Sequence, residues 1–284
     1  MSAFAIAGVQ APVEHGADNI PALSRTIRHA LRRFPWVDMV VLSELCAYGY
    51  LPAQAEAPGG AAETAFRELA ARHKIWLVPG SHFERVDGKL YNTALAIDPT
   101  GAVVARYRKM FPFMPYETDV EPGTEFCVFD VPAVGRFGLS ICYDMWFPET
   151  TRTLAAMGAE VILHPSLTDT IDRELELSIA RVSAALNQCY FFDVNGVAGG
   201  GTGRSIVVDP AGYVLHEAGS GPEFMPVPID LDRVRRDRAT GLRGLGQLLK
   251  SFRDRPVEFP VYRREQFDGA YLDSLGPLEK PPRS

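Results

Sequence analysis

The chain has 284 residues, with 29 Lys and Arg against 35 Asp and Glu, a formal net charge of −6, and 46% apolar residues. That balance implies a soluble globular chain long enough for one large domain with a substantial core. Mild acidity argues against nucleic acid or an anionic membrane as partner, and no apolar run approaches the ~18 residues that a membrane span needs.

Met1 to Val13 is apolar but carries no Lys or Arg before Arg25, so it reads as a strand, Ala3 to Gln10, and not as a leader. Ile20 to Arg33 reads as a helix with Leu23, Ile27, Ala30 and Leu31 on one face. Val37 to Leu42 is a buried strand ending at Ser43-Glu44. Ala61 to His73 follows as a helix, then strands Ile75 to Pro79 and Leu90 to Ile97. Asp98-Pro99-Thr100-Gly101 turns the chain into Ala102 to Arg106 as a hairpin. Phe137 to Ile141 is a short apolar strand, and Pro148 starts a helix that stops at Gly158. Strand Val161 to His164, helix Asp172 to Asn187 and strands Tyr190 to Asn195 and Ser205 to Val208 come next. Asp209-Pro210-Ala211-Gly212 makes a second hairpin to Tyr213 to His216, and Met225 to Ile229 is the last strand.

Hairpins interleaved with β-α alternation imply one or two mixed sheets covered by helices, an α/β fold. No repeat or linker divides residues 1–240, so they are expected to form one domain. Residues 241–284 differ: Leu242, Leu245, Leu248 and Leu249 make an amphipathic turn or two, and Pro256, Pro260, Pro277, Pro281 and Pro282 follow. Phe252, Phe259, Tyr262, Phe267 and Tyr271 in this arm need burial, so it is expected to lie across a partner subunit. Cys46, Cys127, Cys142 and Cys189 lack metal-ligand or paired spacing, which points to a reducing cytoplasm and no structural metal.

Cys142 stands between a strand end and a helix start. Unpaired backbone N–H groups there favour a thiolate and can hold an oxyanion, a nucleophile's position. A lone cysteine is more often a small apolar packing residue, so the reading turns on a base and a cation. Glu44 follows the apolar run Met39-Val40-Val41-Leu42, where burial raises a carboxyl pKa as a general base requires; an exposed loop glutamate is the plainer reading. Lys109 lies in Tyr107-Arg108-Lys109-Met110-Phe111-Pro112-Phe113, where it either faces a site or snorkels to water. Reference pKa values put Cys about four units above Glu, so proton transfer costs about 5 to 6 kcal/mol unless a buried Glu and a nearby ammonium narrow the gap. Such a trio suits acyl transfer through a thioester.

The order Glu44, Lys109, Cys142, within Ser43-Glu44-Leu45, Tyr107-Arg108-Lys109 and Ile141-Cys142-Tyr143-Asp144, resembles the nitrilase superfamily of carbon–nitrogen hydrolases. Phe147-Pro148-Glu149, Arg152, Gly158-Ala159-Glu160-Val161-Ile162 and Asn187-Gln188-Cys189-Tyr190 extend the resemblance over about residues 3 to 240. It implies a four-layer α-β-β-α sandwich of two mixed sheets, a Glu base, a Lys for the oxyanion and a Cys nucleophile. Glu117 would be the second glutamate that orients substrate and lysine, with Glu121 one turn away as its rival. Members typically pair across helices into an eight-layered dimer, and no metal or organic cofactor is implied.

Tyr143-Asp144 stands where nitrilases carry Trp-Glu, which favours an amide over a nitrile. Met145 and Trp146 replace the arginines by which N-carbamoyl amino acid hydrolases hold a carboxylate. The expected substrate is therefore an uncharged small-molecule amide lying against Trp146, Met145, Tyr143, Phe113 and Tyr116. Arg173 and Arg204 could serve a carboxylate from elsewhere, so an N-carbamoyl amide hydrolase stays an alternative, as does a nitrilase. Gly138-Leu139-Ser140 lacks the second glycine of a serine elbow, Gly199 to Gly203 lacks the Gly-Lys of a phosphate loop, and His164 reads as a structural histidine. A catalytically silent scaffold and acyl transfer to an amine remain as alternatives.

Overall fold

The computed structural model describes residues 4–255, 257–263, 265 and 267–280. Ala3 and residues 256, 264, 266 and 281–284, which fall within the strand and arm expected above, lie outside the described residues. One seven-stranded sheet holds β1 (Phe4–Gln10), β2 (Met39–Val41), β3 (Trp76–Val78), β4 (Ser81–Val86), β5 (Lys89–Ile97), β6 (Val103–Arg108) and β15 (Glu223–Ile229). Its order is β15-β1-β2-β3-β5-β4, with β6 also paired to β5. The second sheet holds β7 (Cys127–Val131), β8 (Gly135–Leu139), β9 (Val161–Ser166), β10 (Tyr190–Asn195), β13 (Ile206–Val208) and β14 (Val214–Glu217), in the order β14-β13-β10-β9-β8-β7. Both are mixed: β1-β2-β3 and β8-β9-β10 run parallel, and the hairpins at their flanks are antiparallel.

Side-chain alternation explains why these strands read as unbroken apolar runs. Ile6, Met39, Val41 and Val78 face Phe137, Leu139, Leu163 and Phe192 across the gap between the sheets. Their neighbours Ala7, Val9, Val40 and Leu77 pack outward on Leu23 and Ile27 of α1 (Ile20–Arg33) and on Phe66 and Leu69 of α2 (Ala61–His73). On the other side, Ile162 and Phe191 pack on Leu154 of α3 (Pro148–Ala156) and on Leu177, Ala180 and Ala184 of α4 (Asp172–Asn187). The expected α-β-β-α sandwich is thus the fold.

Two strands and a helix escape sequence periodicity. β4 is Ser-His-Phe-Glu-Arg-Val, polar at a position where Glu84 is fully buried by its ion pair with Arg106. β7 pairs only with β8 at the sheet edge, and α5 (Leu231–Thr240) is rich in Arg and Asp, with only Leu231 and Val234 buried. The expected strands Val37 to Leu42 and Phe137 to Ile141 are observed at Met39–Val41 and Gly135–Leu139, because the chain leaves the ladder before the residues that matter. Gly80 has φ 66°, and a Cβ there would fall 1.7 Å from the Ser43 carbonyl oxygen, so glycine lets the β3-β4 turn pass the segment that carries Glu44.

Beyond residue 240, α6 (Leu248–Asp254) and a short turn at Pro260–Tyr262 lie over α3 and α4. Arg152 sits 5.6 Å from the Phe252 ring centroid, and the Tyr262 hydroxyl donates to Glu149 Oε1 at 2.5 Å. Among the described residues no helix is long and apolar enough to cross a membrane.

Candidate active site

Glu44, Lys109 and Cys142 each stand just past the end of a strand, β2, β6 and β8, and meet where the two sheets face each other. The Glu44 N–H donates to the Ser166 carbonyl at the end of β9 (3.1 Å), which pins the turn of one sheet onto the other. The Lys109 N–H donates to the Asn92 carbonyl (2.8 Å) in β5. Lys109 is 1% exposed, and its Nζ donates to Glu44 Oε1 and to Glu117 Oε2, both at 2.9 Å. Asn92 Nδ2 also donates to Glu44 Oε1 (2.8 Å), and the Phe113 N–H to Glu117 Oε2 (2.6 Å). Glu121 lies apart, half-exposed and paired with Lys89, whereas Glu117 reaches the Lys109 ammonium.

Burial raises the Glu44 carboxyl above its ordinary value, although Lys109 pulls it back. Burial alone would lower Lys109, but Glu44 and Glu117 outweigh it and hold the ammonium well above the usual lysine value. The Cys142 thiol is pushed well above its ordinary value, first by burial and then by the charge of Glu44, with Lys109 opposing. Burial thus works against the thiolate that free N–H groups would favour, so the thiol proton needs an acceptor.

Cys142 has φ 45°, in the left-handed region, and opens a one-turn 3-10 helix, Cys142–Trp146. Asp144 holds this bend. Its Oδ2 accepts from the Tyr107 hydroxyl (2.6 Å) and the Ile141 N–H (2.8 Å), and its Oδ1 from the Phe111 N–H (2.9 Å). Burial pushes its carboxyl up to about 6, with those three donors pulling the other way. Asp144 therefore ties the segment bearing Lys109 to the segment bearing Cys142.

A cavity of about 70 Å³ opens onto Cys142. Phe113, Tyr143 and Trp146 line its aromatic side, and Leu167, Thr168 and Glu176 complete the wall. Two expected substrate contacts are corrected. Met145 is 2% exposed and packs with Leu154 and Leu177 in the core under the helices, because the 3-10 turn points it away from the cavity. Tyr116 is 47% exposed and stacks behind Phe113 with ring centroids 5.0 Å apart, so it does not line the cavity. Arg173 and Arg204 are likewise occupied: Arg173 pairs with Glu176 (3.0 Å) and Asp193 (2.8 Å), and Arg204 with Glu174 and Glu217 at the surface. Gly199 to Gly203 lies in the small hairpin β11 (Val197–Ala198) and β12 (Gly201–Thr202), whose Thr202 N–H donates to the Thr168 carbonyl (3.0 Å) of the cavity wall. His164 is buried, shares a 2.7 Å hydrogen bond with Ser140, and is pushed down to about 4 by burial, as a structural histidine is.

Sequence reasoning passed over Asn92, Thr168 and Glu176. Thr168 Oγ1 lies 3.7 Å from Cys142 Sγ and 3.1 Å from Glu176 Oε1. Glu176 carries a legible signal, a charge on the same helical stripe as the buried Leu177, Ala180 and Ala184. Asn92 is a fully buried polar residue in the middle of β5, Lys89–Ile97.

A thiol, a buried carboxylate and a buried ammonium at one sheet junction are suited to nucleophilic acyl chemistry. The chain belongs to the carbon–nitrogen hydrolase family, whose model matches residues 5–239, and it falls on the amidase-like side of the nitrilase superfamily. It is 30% identical over 259 residues to the mouse omega-amidase NIT2, covering 84% of this chain and 92% of that protein. It is 32% identical over 206 residues to the 2-oxoglutaramate amidase of Bacillus subtilis, covering 68% and 78%. Among solved structures, Saccharomyces cerevisiae Nit3 superposes with a TM-score of 0.77 at 28% identity, over 84% of this chain and 94% of that one. An amidase from Nesterenkonia, with the acetamide moiety of fluoroacetamide added covalently at its active-site cysteine, superposes with a TM-score of 0.75 at 27% identity, over 84% and 94%.

Proposed function

We propose that this chain hydrolyses small linear amides to a carboxylate and ammonia or an amine, through a thioester on Cys142. The observation that carries the reading is the Lys109 ammonium clamped between Glu44 and Glu117 beside a thiol that opens on a cavity. Glu44 takes the thiol proton as Sγ attacks the amide carbonyl carbon, and the oxyanion falls to Lys109 Nζ and the Tyr143 N–H. Collapse breaks the C–N bond, and Glu44 returns the proton to the departing nitrogen. Water, giving a proton to Glu44, then attacks the thioester; the C–S bond breaks, the carboxylate leaves and the thiol regains its proton. Glu117 fixes the ammonium in place, and the scheme draws on side chains and backbone alone.

Given butyramide, the protein is expected to release ammonia and butyrate, and acid quench is expected to trap a butyryl group on the Cys142 peptide by mass spectrometry. Glu44→Gln should lower kcat/KM by about 10²- to 10⁴-fold. The acid limb of the wild-type pH profile should lie above the usual carboxylate range, because burial raises Glu44. Neither ammonia nor an adduct at Cys142 would overturn the reading.

We also propose that the α3-α4 face pairs with a second copy, as the arm composition suggests. A groove of about 810 Å³ runs there between Trp146, Ile179, Leu186 and Phe252, with Val182 55% and Tyr262 57% exposed. Leaving such a surface in water is unfavourable. Light scattering should give a dimer mass that Val182→Glu shifts toward monomer; a monomeric wild type would end this proposal. Four free cysteines, two of them partly accessible, favour the cytoplasm as its compartment.

A further inference from the structure

We propose that the amide accepted here carries a cationic, amine-bearing acyl chain, seated between Trp146 and the carboxylates of Asp169, Asp172 and Glu176 in the cavity that opens from Cys142. The inference rests on the amide-hydrolase reading and names its substrate class.

The cavity that begins at the nucleophile offers no cation on its walls. Glu176 is 2% exposed, and its Oε1 accepts from Thr168 Oγ1 (3.1 Å) and Trp146 Nε1 (3.5 Å). The cation behind it, Arg173, is shared: one guanidinium answers both Glu176 and Asp193 and also donates to the Arg204 carbonyl (2.8 Å). Lys109 likewise answers two carboxylates. Nearer the mouth, Asp169 is exposed and makes no hydrogen bond or ion pair with the described residues, and Asp172 accepts only from the Thr170 hydroxyl (2.9 Å) and pairs with no cation. His164, held to about 4, adds no positive charge at neutral pH.

The acidic wall matters because of where it starts. Thr168 joins Cys142 Sγ to Glu176 through a single hydroxyl, so an acyl group on the thiol has this wall beside it. A chain ending in a carboxylate, such as that of 2-oxoglutaramate, would add a like charge where no cation waits. An ammonium gains the carboxylates and the face of Trp146 together. The arginines that sequence left open for a carboxylate are spent on Glu176, Asp193, Glu174 and Glu217.

The test compares three amides of matched length: 4-aminobutanamide, pentanamide and succinamate. The cationic amide should exceed pentanamide in kcat/KM by about ten-fold or more, and succinamate by about 10²-fold or more. Its KM, but not that of pentanamide, should rise with salt. In the double variant Asp169→Asn, Asp172→Asn the ratio of cationic to neutral amide should fall at least about five-fold. Equal or better use of succinamate, or a ratio unmoved in the double variant, would overturn this inference while leaving amide hydrolysis intact. Failure of all three amides to acylate Cys142 would instead remove the hydrolase reading, and this one with it.

Discussion

Replacing Cys142 by Ala is expected to lower kcat by about 10⁴-fold or more. The same change should leave Tm within about 2 °C of wild type. The stability half follows from the resting state of the thiol. Burial and the Glu44 charge both favour the neutral thiol, so Ala leaves the charge balance in place and Lys109 clamped between Glu44 and Glu117. The kinetic half follows because Cys142 is the only thiol on the cavity wall. Activity assays beside thermal melts would check both, and turnover retained in the variant would rule the thioester route out.

Lys109→Met is expected to fail twice, in catalysis and in folding. Its ammonium is the one cation between two buried carboxylates, and removing one member of a buried ionic cluster costs about 3 to 5 kcal/mol. The pH dependence carries a sign. Without the ammonium, burial acts on Glu44 unopposed by its nearest cation, so its folded pKa moves further above the unfolded value. A carboxyl with a raised folded pKa contributes stability at low pH and loses it as pH climbs from the unfolded value through the folded one. Urea midpoints of variant and wild type should therefore differ least in acid and most at neutral pH. A gap that is constant with pH would show that the ammonium is not paired as described.

The two sheets were legible because parallel strands buried on both faces leave long apolar runs, such as Met39 to Leu42 and Val161 to Leu163. β4 and α5 were not, because their burial rests on ion pairs, Glu84 with Arg106 and Glu160 with Arg235, that no hydrophobic period reveals. Within the site, Glu44, Lys109 and Cys142 could be picked out from local context and Glu117 only through the family resemblance, and the structure brings them into one cluster. The cavity walls were harder. Met145 is next to Trp146 in sequence, yet a 3-10 turn places them on different surfaces, and a pattern of residues does not encode that rotation. The charge of the cavity was hidden for a related reason: Arg173 looks free until Asp193, twenty residues on, is seen to claim it.

Glu44 and Lys109 ride on one sheet and Cys142 on the other, so the distance between the proposed base and nucleophile is a property of the spacing between layers. That spacing, ~10 Å in packed sheets, is set by the volume of side chains such as Phe129, Phe137 and Tyr107. The interior of the sandwich thus acts as a shim under the chemistry. Trimming it far from the cavity, or compressing it under hydrostatic pressure, would register in the turnover rate well before the molecule unfolds.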